Sequence, residues 1–289
     1  LSRGLGDVYK RQEISKDIFT RIKAMFFHKI GGFIINGTDN ILISKLFGLT
    51  VVGLYSNYYL IINAVTTLFA QFISSTTASV GNLLIQKNDN KNFEVFTKIR
   101  FLNFYLAAFT GMCILVIMQS FITIWLGDSF LLPMAVLMVI VLNYYQKLMR
   151  KTYDSFMVAA GICVENRFIP LIESVVNIIT SIILAKLFGL IGIFLGTVIS
   201  GLTLWCYSYP KYMYKKILKR SYWNYAKETL GYILLFIALA ITTLGISRIF
   251  VFDSNILQFI INLMISLIVP NVLLLSLIHI SEPTRQAEI

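Results

Sequence analysis

Charged residues are scarce in this chain of 289 residues, since Asp, Glu, Lys and Arg make up only 13% of it. That is about half of the share found in a typical soluble domain. Hydrophobic residues account for 57%, and apolar runs of about 20 residues, long enough to cross a bilayer as a helix, recur along the chain. Runs such as AAFTGMCILVIM do not alternate as the strands of a membrane barrel would. The sequence therefore predicts an all-α polytopic membrane protein.

Residues that carry catalysis or bind metals are also few. The three cysteines (Cys113, Cys163 and Cys206) form no C-x-x-C pair, and the only histidines are His28 and His279. This pattern excludes the usual cysteine and histidine metal sites. The sequence also lacks a Gly-rich phosphate loop, a nucleophile elbow and a pair of carboxylates on a loop. We therefore predict a protein that is not an enzyme and carries no cofactor.

Both ends of the chain read as foreign sequence. SRGLGDVYKRQ, at residues 2–12, decodes to a transposon end used to fragment DNA for sequencing, and LSLIHISEPTR, at 275–285, decodes to the opposite strand of that adaptor. We interpret residues 1–12 and 275–289 as adaptor-derived and exclude them from the fold. We expect residues 1–12 and 281–289 to make no contact with the core. The part between them is then expected to belong to a longer protein.

Eight membrane segments are predicted between these ends, at about residues 26–46, 51–75, 101–124, 131–149, 168–188, 190–210, 229–249 and 256–274. Alternating helices place Lys45, Lys186 and Arg248 on one side and the other eighteen basic residues of 13–274 on the opposite side. Because basic loops stay cytoplasmic, the first segment is predicted to run from inside to outside. The net charge of +11 is thus a topology signal, not a nucleic-acid footprint. The outer loops are short, so we expect the function to lie within the membrane.

A five-residue motif, KLFGL, occurs twice, at Lys45–Leu49 and at Lys186–Leu190. Each copy lies at a predicted outer turn between two closely joined segments. The repetition indicates two related helix–glycine–helix hairpins, and internal repeats are common in secondary transporters.

Four polar residues at membrane depth are candidates for coupling transport to an ion: Asp39, Glu173, Asn177 and Thr197. An ionisable group in a membrane helix usually faces a cavity or a partner. Glu173 and Asn177 are four residues apart, so they share a helix face. Their oxygens could coordinate Na⁺, or a carboxylate could take up a proton. The alternative is that these residues only join helices, with Asp39 bonded to Asn36 or Asn40 and Glu173 paired with Arg167.

Basic residues at the inner end of the fourth predicted segment are candidates for contacting a phosphate headgroup. Arg150 and Lys151 lie in QKLMRKTYDSF, and Arg167 follows in ENR. Arginine suits bidentate contacts to phosphate, so a diphosphate could engage this region from the cytoplasm. The alternative is that these charges merely anchor the end of the helix.

The sequence resembles the polysaccharide (oligosaccharide-lipid) flippase family of the MOP exporter superfamily, relatives of the lipid II flippase and the MATE drug exporters. Two stretches carry the resemblance and cover most of residues 32–200: TDNILISKLFGLTVVGLYSNYYLIINAVTTLFAQ and RKTYDSFMVAAGICVENRFIPLIESVVNIITSIILAKLFGLIGIFLGTVIS.

The resemblance implies a protein of two six-helix lobes plus two trailing helices. Residues 13–213 would form the second lobe and residues 214–274 the trailing pair. It further implies that undecaprenyl-diphosphate-linked oligosaccharide is flipped across the bacterial plasma membrane by alternating access, alongside polysaccharide assembly proteins. The family's cation site, carried over to this sequence, would use Asp39, Glu173 or Asn177, and Thr197.

Three other functions stay open on the sequence. A MATE-type drug or cation antiporter shares the fold, although a cationic cavity argues against it. A membrane glycan polymerase or ligase is expected to carry a long outer loop with His or Arg. A structural membrane subunit would leave the buried acidic residues unexplained.

Overall fold

The computed structural model describes the backbone of residues 2–286, and the side chains of residues 18–276 except those at positions 21 and 36. Helices account for 90% of the chain, and the described part contains no strand, which confirms the all-α class. We expected residues 1–12 and 281–289 to make no core contacts. Their side chains lie outside the described part, so this expectation stays a prediction. The helices are α1 (Ser2–Phe47), α2 (Leu49–Ser74), α3 (Thr77–Ile85), α4 (Asp89–Leu126), α5 (Met134–Ala159), α6 (Ile169–Phe188), α7 (Leu190–Thr203), α8 (Tyr222–Ile249) and α9 (Asn255–Gln286).

Six of these helical stretches are long and apolar enough to cross a membrane, which supports a multi-pass membrane protein. They are Leu49–Ile85, Asp89–Leu126, Ile169–Phe188, Leu190–Ile217, Tyr222–Ile249 and Asn255–Ser276. The other two predicted segments fall in α1 and α5, which are helical but more polar. In α5 the polar residues line the cavity described below, and they lower the hydropathy of that helix. The count of eight spans therefore stays a prediction.

The two KLFGL motifs form matching turns. α1 ends one residue before Gly48, which has φ +89°, and α6 ends one residue before Gly189, which has φ +66°. Positive φ is strained for any residue with a Cβ, so glycine is what allows each helix to reverse within one residue. The two predicted helix–glycine–helix hairpins are therefore present. Gly48 joins α1 to α2, and Gly189 joins α6 to α7 in the same way.

Glycines bring α6 and α7 into close contact. A Cβ built on Gly196 would lie 2.5 Å from the Cα of Ser181, so only glycine fits there. The Ser181 hydroxyl donates to the Ile193 carbonyl at 3.1 Å across the same interface. Small residues of this kind let membrane helices approach until polar side chains can bond across them. The close approach places Asn177 of α6 opposite Thr197 of α7.

α8 and α9 pack on α4, and α8 also contacts a π-helical segment, Leu204–Ile217, that continues α7. The segment contains Pro210, which lacks the N–H that a regular α-helix needs and so favours an irregular pattern. Arg100 of α4 is buried and pairs with Glu228 of α8, while Tyr214 bonds to both. The predicted membrane segment at residues 101–124 lies within α4, which begins twelve residues earlier, at Asp89.

Candidate functional site

A polar cavity of about 410 Å³ runs along the inside of the bundle between α1, α2, α5, α6 and α7. α5 contributes Asn143, Lys147, Arg150 and Asp154, whose spacing of four, three and four residues places them on one helix face. On α2 the lining reaches Ser74, the last residue of that helix. The cavity therefore extends to the end of α2 opposite the KLFGL turn, which the charge distribution assigns to the cytoplasmic side.

Asp39 lies at the outer end of this region and is joined to two other predicted site residues. The Thr197 hydroxyl donates to Asp39 Oδ1 at 3.1 Å, and Asn177 Nδ2 donates to the Thr197 oxygen at 3.0 Å. All three side chains are at least nine-tenths buried. The structure thus brings three of the four predicted ion-coupling residues into one chain of hydrogen bonds, the Asp39–Thr197–Asn177 cluster. The alternative partner of Asp39 at position 36 lies outside the described side chains.

The two KLFGL turns explain why Asp39 and Thr197 meet. Asp39 lies eight residues before the end of α1 and Thr197 seven residues after the start of α7. At a rise of 1.5 Å per residue, both lie about 10–12 Å below their turns. Equal depth in adjacent helices sets the two side chains side by side.

Two amide oxygens at this site have no hydrogen-bond partner among the described residues. They are the Oδ1 atoms of Asn177 and Asn143, both buried. Asn143 lines a small cavity of about 50 Å³ together with Asp39 and Thr197. Buried polar atoms normally have partners, so two unpaired acceptors beside a buried carboxylate indicate a place for a cation. Carboxylate, amide and hydroxyl oxygens are the donors that hard cations prefer, so these residues fit Na⁺.

Lys147 is a site residue that the sequence reasoning missed, since it was counted only as a topology signal. It lines both the 410 Å³ cavity and the 50 Å³ cavity. Its ammonium group interacts electrostatically with Asp39. The signal that could have found it is the shared helix face with Asn143 and Arg150. Lys147 therefore connects the cluster around Asp39 with the larger cavity.

Glu173 does not join the cluster. Its carboxylate accepts two bonds from Arg150, at 2.6 and 3.0 Å, and its side chain is only 3% exposed. Among the described residues, no hydrogen bond links Glu173 to Asp39, Thr197 or Asn177. The alternative pairing of Glu173 with Arg167 is wrong, because Arg167 packs on the ring of Phe168 at 4.7 Å. The bidentate geometry instead joins α5 to α6.

The predicted headgroup residues separate in the structure. Arg150 and Lys151 both line the 410 Å³ cavity, together with Lys147. Arg167 is not among the lining residues of that cavity. Three basic groups therefore face the cavity, against the two carboxylates of Asp154 and Glu173.

The bundle is closed toward the KLFGL side by aromatic residues. The rings of Tyr55 and Phe194 lie 5.0 Å apart above the small cavity. The Tyr58 hydroxyl donates to Gln119 at 2.6 Å and accepts from the backbone N–H of Leu132 at 3.1 Å. These bonds tie α2, α4 and the start of α5 together. The structure is thus closed on the side of the KLFGL turns and hollow on the other.

The described residues contain no group of three or more His, Cys, Asp and Glu side chains that could hold a transition metal. Comparison of the chain with protein-family models, curated proteins and solved structures found no match.

Proposed function

We propose that this chain acts in flipping a lipid-diphosphate-linked oligosaccharide across the bacterial plasma membrane by alternating access. The observation that carries the proposal is a membrane bundle with a 410 Å³ cavity lined by three basic residues and an adjoining 50 Å³ cavity lined by the buried carboxylate of Asp39. A transporter of an anionic amphiphile needs both a site for the anion and a source of energy. The resemblance to polysaccharide flippases supports the same function.

The basic residues supply the anion site. Lys147, Arg150 and Lys151 lie on the inner part of α5 and face the cavity. Arg150 lies 16 residues from the start of α5, about 24 Å along the helix axis. In a hydrocarbon core about 30 Å thick, this depth lies toward the inner face, close to the headgroup region where a diphosphate would enter. The two lysines present compact positive charges to a phosphate, and Arg150, whose two Nη atoms donate to Glu173, adds positive charge to the cavity wall.

The Asp39–Thr197–Asn177 cluster supplies the coupling site. Together with Asn143, these residues would hold Na⁺ through four oxygens. A bound cation would stabilise the buried charge of Asp39 more directly than the attraction of Lys147 does. Helices α1, α5, α6 and α7 each contribute one of the four residues, so occupancy of the site is sensitive to how these helices pack. This sensitivity is what couples a bound ion to a conformational change.

Binding measurements test the anion site. The chain would be reconstituted in lipid nanodiscs, and native mass spectrometry would compare undecaprenyl diphosphate with the uncharged alcohol undecaprenol. We expect at least tenfold preference for the diphosphate, reduced at least fivefold by Arg150→Gln. The matched control is Arg248→Gln, which removes a positive charge at the outer end of α8 and should leave the preference unchanged. Equal binding of both lipids would contradict the proposal, and tight binding of the cation tetraphenylphosphonium instead would favour a drug antiporter.

A further inference from the structure

Lys147 stands between the two parts of the site. Of the 50 Å³ and 410 Å³ cavities, Asp39 lines only the smaller and Arg150 only the larger, whereas Lys147 is the charged residue that lines both. Four charged groups act on its ammonium: Asp39, Glu173, Arg150 and Lys151. Two of these attract it and two repel it, and they lie on three different helices. Its position therefore responds to any charge added on either side.

We propose that Lys147 is a tethered cation that competes with the coupling cation for Asp39, and that an anionic headgroup in the larger cavity relieves this competition. The inference rests on the proposed function, whose two sites it connects. It assigns to Lys147 the role of making anion and cation binding cooperative.

The competition follows from the charges at Asp39. Two cations beside one buried carboxylate repel each other strongly where water is sparse. Lys147 lines the same small cavity as Asp39 and attracts its carboxylate, so the ammonium must move away before a soluble cation can gain the full attraction of that carboxylate. Its side chain has four flexible carbons and a compact charge, so such movement is possible without a shift of the helix.

An anion relieves this competition because the side chains of the basic residues differ in how firmly they are held. Arg150 donates two hydrogen bonds to the Glu173 carboxylate, so its side chain has little freedom to turn toward an incoming anion. Lys147 is on the same face of α5, three residues before Arg150. A diphosphate bound near Arg150 therefore attracts the Lys147 ammonium into the larger cavity. Asp39 then loses its tethered partner and gains affinity for a soluble cation.

Thermodynamic linkage makes the inference measurable. If an anion raises the affinity for Na⁺, then Na⁺ must raise the affinity for the anion by the same factor. Binding of ²²Na⁺ to the purified chain would be measured with and without Tris pyrophosphate, at constant ionic strength set by Tris chloride. We expect pyrophosphate to raise the affinity for Na⁺ about tenfold in the unmodified chain. Pyrophosphate binding would be followed separately by calorimetry, with and without Na⁺.

Three variants test whether the effect depends on a positive charge at position 147 or on the total positive charge of the protein. Lys147→Gln should bind Na⁺ about tenfold more tightly without pyrophosphate and show no further gain with it. Arg248→Gln, which removes a positive charge at the outer end of α8 and away from both cavities, should keep the gain. Lys147→Arg keeps a tethered positive charge and should keep the low initial affinity, which also controls for folding.

The outcomes distinguish this inference from the proposed function. If Na⁺ and pyrophosphate both bind but neither changes the affinity for the other, the role of Lys147 is refuted while the two sites stand. Weaker Na⁺ binding by Lys147→Gln would refute it as well. If the unmodified chain binds neither ligand, the proposed function itself fails.

Discussion

Breaking the ion pair between Arg150 and Glu173 should destabilise the bundle unequally, depending on which partner is removed. The Glu173 side chain is 3% exposed, whereas that of Arg150 is 21% exposed and borders the cavity. Arg150→Leu therefore leaves a buried carboxylate without its bidentate partner. Losing one partner of a buried pair costs about 3–5 kcal/mol. We expect the lower end, about 3 kcal/mol, because Lys147 still attracts Glu173.

Glu173→Leu should cost less, about 1–2 kcal/mol, because the Arg150 guanidinium can be hydrated from the cavity. The double variant replaces the pair by apolar side chains and should lose less than the sum of the single losses, by about 3 kcal/mol. Reversible unfolding in mixed detergent micelles would measure the free energy of unfolding of all four proteins. Additive losses, or a larger loss for Glu173→Leu than for Arg150→Leu, would refute the reasoning.

Two further predictions concern packing and closure. Gly196→Ala should lower the free energy of unfolding by about 2 kcal/mol, since the new Cβ would meet Ser181. The control is Gly53→Ala, whose new Cβ would have no atom within 4 Å and should change the free energy of unfolding little. Equal losses in the two variants would contradict this prediction. Tyr58→Phe removes the bond to Gln119 and should cost about 1–2 kcal/mol in the same assay. Tyr58→Phe should also open the KLFGL side of the bundle. A cysteine placed at Asn63 should then be labelled faster by a membrane-impermeant reagent added on that side, and an unchanged rate would argue against a closure there.

The sequence was sufficient for the helices and for part of the site. Apolar runs predicted the all-α class, and the repeated KLFGL motif predicted the two glycine turns. These features are local, because the apolar run and the glycine that takes a positive φ at its end are neighbours in the sequence. The meeting of Asp39 and Thr197 then follows from equal depth below two such turns.

The partners of Glu173 and Arg100 were beyond sequence reasoning for a physical reason. Glu173 shares a helix face with Asn177, but the rotation of α6 against α5 decides that its carboxylate meets Arg150. Arg100 is buried because Glu228, 128 residues away, reaches it. Such pairs depend on tertiary packing, which no local pattern encodes. Lys147 is different, since its spacing from Asn143 and Arg150 was visible in the sequence.

Binding of ²²Na⁺ to the purified chain before and after Asp39→Asn tests the central claim most directly. The control is Asp128→Asn, which changes an exposed aspartate in the turn between α4 and α5. We predict saturable Na⁺ binding by the unmodified chain and by Asp128→Asn, and at least a tenfold loss of affinity in Asp39→Asn. Equal Na⁺ binding by Asp39→Asn and the unmodified chain would contradict the assignment of Asp39 as the coupling residue.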